Sequence, residues 1–392
     1  MSSYPPSGPP QTTTLRQRLA DLRGPAVPPR PLDARALAAL AANPGCGRRA
    51  LLDGAGVDKT ALAAALGSPA SFGQSQFAIV RGNSFEAKVK GDGGAELLRL
   101  THARLGGAAE PPGRDARVPD LTAAGPEGRA ARTALALREA TAAGAWTLLD
   151  HPMLALEVAG TPAYLEPDAV VVHPDGRWTV VEIKSFPLID GAADAAKVGA
   201  AARQAAVYVL ALEQTARKLA GAEVSHRVLL VCPKDFSNVP TAALVDVRRE
   251  RSVTRRQLER LTRVEELADG LPEGLCFDPA RPAAELTAAV SAVSAAYAPE
   301  CLAACELAFH CRERSRAAGE PAALGRSVRG ELGGLTTVEA ALAAAAGAHP
   351  GDAPADDPTA AALRRAARLR AEALEAAAAR PPYAPESPEC PC

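Results

Sequence analysis

The hydrophobic pattern is sharpest at 168–184, DAVVVHPDGRWTVVEIK, where two β-branched runs flank Asp175-Gly176. That dipeptide between apolar runs predicts a β-hairpin. Side chains alternate along a strand, so Glu182 and Lys184 share one face while Val181 and Ile183 point to the other. A carboxylate and an ammonium on a strand that otherwise reads Val-Val-Ile need compensation, and a divalent metal would supply it.

The rest of the chain arranges itself around this hairpin. From 31 to 66 the pattern is helical, broken at Asn43-Pro44-Gly45-Cys46 and near Gly54, which puts Cys46 at a helix start. The stretch 76–90, QFAIVRGNSFEAKVK, predicts a short strand or apolar turn followed by a helix capped by Asn83. Gly, Pro and mixed charge over 91–128 predict a surface excursion, and a helix follows over 130–143. Strands are expected at 153–159 and 226–233, with an edge strand at 242–247 and a helix near 192–220 between hairpin and second strand. A basic helix at 253–268, a helix at 284–297 and a cysteine-rich turn at 301–311 come next. Residues 1–30, rich in Pro, Ser and Thr, predict a disordered tail. From 346 a linker, an Ala/Arg helix and a Pro-rich end are expected, which leaves 31–345 as the main domain. The fold class is α/β, a mixed central sheet flanked by helices.

Composition narrows the field. A net charge of -1 over 392 residues means that an anionic partner must be met by a local patch. Aromatic residues make up 4%, too few for a surface of many stacked bases. Neither a leader pattern nor an apolar run of membrane-spanning length is present, so a cytoplasmic protein with no membrane partner is expected. There the eight cysteines should be free or metal-bound.

Asp168, Glu182, Lys184, Gln204 and Tyr208 follow one another in an order that carries chemistry. On a helix, Gln204 and Tyr208 lie at i and i+4 and share a face, which can look toward the charged end of the sheet. Taken singly, Glu-x-Lys on a strand reads as a solvated pair and Gln-x-x-x-Tyr as an ordinary helix face. Together they resemble the PD-(D/E)xK nucleases of the RecB type, with Asp168, EIK at 182–184 and QAAVY at 204–208 on the pattern's elements. The resemblance implies a restriction-endonuclease-like fold and hydrolysis of phosphodiester bonds in DNA, single-stranded or with free ends. It also implies helicase or other protein subunits as partners. It assigns Asp168 and Glu182, with the Ile183 carbonyl, to a Mg2+ or Mn2+ ion, Lys184 to the water or the phosphate charge, and Gln204 and Tyr208 to positioning. Many branches of that family draw a further ligand from an earlier helix, and Glu86 stands at the matching place; Asn83 and Glu86 equally have the spacing of a helix capping box.

Cys301, Cys305 and Cys311 fall within CLAACELAFHC, and Cys46 lies far upstream, on the other side of the hairpin. One cysteine before the core and three after it resemble the iron-sulfur members of the same group, including the AddB subunit and the CRISPR adaptation nucleases. The spacing here is Cys-x3-Cys-x5-Cys, one residue longer in the first gap than their usual form. The resemblance implies a 4Fe-4S cluster that joins N- and C-terminal segments. A structural zinc also suits four thiolates, or three with His310, and buried free thiols are the plainer alternative. Cys232 ends an apolar strand, Cys276 is a substitute ligand, and Cys390 and Cys392 lie in the tail.

GAGVDKT at 54–60 imitates a phosphate loop but has Asp58 where glycine must precede the lysine. In the basic helix, Arg249, Arg256, Arg260 and Arg263 can share a face and follow phosphates, or pair with Glu250, Glu259 and Glu265. Two functional classes therefore compete: a metal-dependent DNA nuclease, and a catalytically silent nucleic-acid-binding scaffold with the same fold.

Overall fold

The computed structural model describes residues 11–43, 45–69, 76–106, 111, 116–158, 161–235, 237–261, 264–348 and 357–378. The chain divides into two compact units, residues 1–311 and 312–392.

The first unit begins with helices α1 (Gln11–Arg23), α2 (Ala34–Ala42), α3 (Gly47–Gly54), α4 (Lys59–Ala65), α5 (Gln76–Lys90), α6 (Ala95–Leu105) and α7 (Gly125–Ala143). Strands β1 (Thr147–Asp150), β2 (Leu154–Val158), β3 (Thr161–Leu165), β4 (Ala169–Val172) and β5 (Arg177–Ile183) follow. Helix α8 (Ala195–Ala216) then leads to β6 (Glu223–Val224), β7 (Arg227–Pro233) and β8 (Pro240–Asp246), and α9 (Arg248–Leu261), α10 (Val264–Asp269) and α11 (Ala283–Ser291) follow. A 3-10 turn at Pro299–Ala303 precedes α12 (Ala308–Ala317).

The central sheet runs β1-β4-β5-β7-β8, with β6 paired to the start of β5. Neighbours are antiparallel except β5 with β6 and with β7. A parallel step needs a crossover, and α8 is that connection. The result is a mixed sheet in an α/β fold. Strands β2 and β3 form a separate antiparallel ribbon.

Both faces of the sheet are covered. Val170, Val172, Trp178 and Val180 point into a core with α2, α7 and α8, while Val171, Val181, Ile183, Leu229 and Val231 point toward Phe85, Val89, Leu97 and Leu98 on α5 and α6. Continuous apolar strands are what two buried faces require. The hairpin turns at 173–176, where Gly176 has φ 83° and a Cβ would lie 2.1 Å from the Gly221 carbonyl oxygen, so only glycine fits.

Several expectations change. Instead of a disordered tail, α1 lies within residues 1–30, with Leu15, Leu19 and Leu22 at helical spacing packed on the α3, α4 and α11 core. The expected excursion at 91–128 contains α6, whose Leu97, Leu98 and Leu100 are buried. Residues 76–90 are one helix, and Asn83 is interior to it, so the capping box does not form. The boundary between units falls at 311/312 instead of 345. In the second unit, α13 (Arg326–Glu331), α14 (Val338–Ala345) and α15 (Pro358–Ala378) surround a small core of Leu332, Leu335 and Ala344. Cys390 and Cys392 lie outside the described residues.

Asp58 caps α4 by accepting from the Thr60 and Ala61 amides and is held by Arg30, which accounts for the false phosphate loop. In the basic helix α9, Arg251 and Arg255 pair with Glu213 of α8, and Arg249 and Arg256 are exposed. Arg263 and the Arg260 side chain lie outside the described residues. Among the described residues no helix is long and apolar enough to cross a membrane.

One buried titrating group ties stability to pH. His173, 1% exposed, meets the Thr179 hydroxyl at 3.0 Å and packs on Trp146. Burial, helped by Arg177, lowers its pKa from 6.5 to about 4. A depressed pKa of this kind contributes stability that is present above pH 6.5 and lost as the pH falls through 4, about 3 kcal/mol in all. Urea unfolding at pH 7 and pH 4 should show that loss, and in His173→Gln the difference between the two pH values should shrink by about that amount.

Candidate functional site

The hairpin register builds the site. Ala169 pairs with Val181, so one step beyond, Asp168 stands across from Glu182 at the open end of the two strands. The Asp168 Oδ2 accepts the Ile183 N–H at 2.6 Å, a side-chain oxygen taking over where the strand ladder ends. Glu182 alternates with Trp178 and Val180 and so faces α8. There it is 1% exposed, beneath the helix face that carries Gln204 and Tyr208.

Lys184 lies 2.5 Å from Glu182 Oε2 and 3.6 Å from Asp168 Oδ2. Among the described residues no donor other than the Lys184 ammonium reaches the oxygens of Glu182. Burial pushes the Glu182 carboxyl up to about 7, with Lys184 opposing and Asp168 adding to the rise. Burial works against the Lys184 ammonium, yet Glu182 and Asp168 hold its pKa above the ordinary lysine value. Gln204 Nε2 donates to the Tyr208 hydroxyl at 2.9 Å, and that hydroxyl donates to the Glu166 carbonyl at 3.1 Å. The helix thus fixes the chain two residues before Asp168. Burial, then the nearby Glu182 and Asp168 charges, raise the Tyr208 pKa above its usual range, so it remains a neutral donor.

Glu86 is placed differently from the other expected ligands. Its Oε1 lies 2.5 Å from Lys90 Nζ and 3.0 Å from His151 Nε2. The hydrogen bond from His151 holds its carboxyl down to about 2, against burial and with help from Lys90. The Lys90 ammonium also reaches Asp150 Oδ1 at 2.6 Å and the Asp168 carbonyl at 2.8 Å. Glu86 therefore meets the Asp168 main chain through Lys90, and it is not gathered with Asp168 and Glu182 into a ligating set. His151, at φ 43°, closes this second cluster, and Arg129 binds both its carbonyl and the Glu166 carboxylate.

Lys90, Asp150, His151, Glu166 and Arg129 were not legible as site residues. Strand β1 places Asp150 opposite Ala169, and its brevity hides it in the hydrophobic pattern. A Leu-Leu-Asp-His run ahead of the hairpin is the one signal that could have pointed there.

The four cysteines come from segments distant in sequence. Cys46 is the N-cap of α3, Cys301 is the middle residue of the 3-10 turn and Cys311 is on α12. Burial raises Cys301 to about 11, with the neighbouring Cys305 and Cys46 adding to the rise, and burial raises Cys311 to about 11, with Arg48 opposing and Cys305 and Cys46 adding. Asn43 Nδ2 donates to Cys301 Sγ at 3.2 Å and Arg48 Nη1 to Cys311 Sγ at 3.1 Å. Burial also raises Cys305, while Arg49 opposes it. His310 is buried next to Cys311, and Cys232 and Cys276 are buried elsewhere in the core. Among the described residues no three His, Cys, Asp or Glu side chains stand at the spacing that closes on a metal ion.

Comparison of the chain with protein-family models, with characterised proteins and with solved structures gives no match.

Proposed function

We propose that the protein is a metal-dependent DNA nuclease of the RecB-type PD-(D/E)xK group, with a restriction-endonuclease-like sheet, acting in the cytoplasm. The observation that carries this reading is Glu182: a carboxylate buried against α8 and across from Asp168, so that two carboxylates share the Lys184 ammonium. Two carboxylates on one ammonium leave a net negative charge that a second cation would offset, and oxygen donors of this kind suit Mg2+ or Mn2+. Asp168 and Glu182 would hold the ion with the Ile183 carbonyl, and Glu86 would join them only after leaving Lys90. When bound, the ion supplies a water of lowered pKa and polarises the phosphate.

The chain's own residues do the remaining work. Lys184 offsets charge on the phosphate oxygens and fixes the attacking water. Gln204 and Tyr208 hold the Glu166 main chain and through it Asp168. At the cysteines, four thiolates would suit a 4Fe-4S cluster, with zinc as the alternative, and three of the four sulfurs have an amide or guanidinium beside them that could serve such a centre from outside. That centre would staple segments distant in sequence.

End-labelled single- and double-stranded DNA should be degraded by the full chain with Mg2+ or Mn2+, and a chelator should stop it. DNA that is bound but uncut with either ion would favour the scaffold reading, and helicase or other subunits would then be its route to function.

A further inference from the structure

Helix α15 carries Arg364, Arg365, Arg368 and Arg370 and has no acidic residue before Glu372. Arg364 is half-buried and the other three are exposed. Among the described residues no carboxylate pairs with any of the four. Several arginines of the first unit are answered by acids: Arg99 by Glu96, Arg248 by Asp246, Arg281 by Glu285, and in the basic helix α9 both Arg251 and Arg255 by Glu213. Residues three and four apart share a helix face, so Arg364, Arg365 and Arg368 stand together, while Arg370 falls on another side. With Ala345, Ala346 and Gly347 at the end of α14 they line an open cavity of about 460 Å³. Capping α14 is not their task. The carbonyls of Leu342, Ala343 and Ala344 already accept the amides of Ala346, Ala348 and Gly347, the last at φ 88°. Leu363 packs on the small core of Leu332, Leu335 and Ala344, which holds this basic face in place.

Three like charges on one face repel one another, and an anion with several charged oxygens relieves that repulsion. Guanidinium forks match phosphate oxygens two bonds at a time. The residues between them, Ala361, Ala362, Ala366 and Ala367, put no bulky group between the forks and a phosphate backbone. A membrane surface is matched less well. Interfacial helices set a row of large apolar side chains beneath their cations, whereas in α15 Leu363 is spent on the core and Leu369 and Leu374 alone remain exposed.

We propose that Arg364, Arg365 and Arg368 form a docking surface for the phosphate backbone of DNA on the second unit, in addition to the site at Asp168 and Glu182. The cationic face and its cavity stand independently of that site; the choice of DNA as the polyanion rests on the nuclease reading. Such a surface holds by charge and reads no sequence. The competing account is a solvated basic face that keeps an alanine-rich helix in water.

The full chain is titrated with fluorescently labelled single- and double-stranded DNA in the presence of a chelator, which stops cleavage, and the affinity is followed against salt. Arg364→Gln, Arg365→Gln and Arg368→Gln combined should weaken binding more than about tenfold at low salt, alike for unrelated sequences. The slope of log affinity against log salt on duplex should flatten by about 0.9 per lost contact, hence by about 2 to 3. The same charge removed from exposed, ion-paired arginines, as Arg99→Gln, Arg248→Gln and Arg281→Gln combined, should change affinity less than about threefold. If the α15 triple variant fails to fold, Arg365→Gln with Arg368→Gln, both on exposed positions, is read the same way at about two-thirds of the slope change. Equal weakening in the two triple variants, or an unchanged slope in the α15 variant, overturns the docking surface. So does a loss of binding to anionic phospholipid vesicles in the α15 variant with DNA binding unchanged. A wild-type chain that cuts DNA with Mg2+ or Mn2+ yet fails to bind it in chelator overturns the surface alone. A wild-type chain that neither binds nor cuts DNA overturns the nuclease reading and the choice of DNA with it.

Discussion

Lys184→Met should lower kcat for DNA cleavage by at least about 10³-fold while the metal concentration for half-maximal rate stays unchanged. The side chain is a quarter exposed, so its removal opens no large cavity. It does leave Glu182 alone in an apolar surround, but that carboxyl is already raised to about 7 and can take a proton instead of bearing an unpaired charge. Circular dichroism and thermal melting should therefore stay near wild type at neutral pH. Asp168→Asn keeps an oxygen for the Ile183 amide and loses the charge, and Glu182→Gln does the same beneath α8; both should raise the metal requirement as well as cut the rate. Cleavage at the wild-type rate in both carboxylate variants would remove the site from the reaction.

The fold was legible where one physical signal dominated. Asp175-Gly176 between apolar runs defines β4 and β5, and the long Ala-rich stretch after them defines α8, because length and periodicity agree there. Order along the chain then brought Asp168, Glu182, Lys184, Gln204 and Tyr208 to one end of the sheet, and alternation put Glu182 and Lys184 on one face, which the structure shows to be the α8 side for Glu182. What was hidden depended on long-range partners. Leu15, Leu19 and Leu22 gain their meaning only from the core they enter, and β1 is four residues long and draws its stability from β4. For the same reason Glu86 could be linked to a capping box or to a metal, while its partners Lys90 and His151 come from a turn of helix beyond it and from the end of β1. Asn83 has the residue type of a cap, but the helix starts earlier and leaves it no free amides to serve.

Cys305→Ser and Cys46→Ser should each destabilise the anaerobically purified chain by more than about 4 kcal/mol, whereas Cys232→Ser should leave metal content unchanged. The expectation follows from where the thiols sit. Cys46 begins α3, while Cys301, Cys305 and Cys311 border the segment that closes the first unit, and Cys305 and Cys311 pack on the core shared by Leu51, Leu52 and Leu307. A centre held by all four would tie the ends of that unit together, and its binding free energy would count as folding free energy, since no such site exists in the unfolded chain. Cys232 is fully buried, more so than Cys46 or Cys305, and belongs to a different cluster, with Leu188, Ala201 and Leu230, so it tests burial without ligation. Melting curves with and without a chelator separate the two contributions: the chelator should lower the wild-type curve and leave Cys305→Ser where it already is. Equal loss in Cys305→Ser and Cys232→Ser, with no effect of chelator on either, would mean that these sulfurs stabilise the fold as small apolar groups.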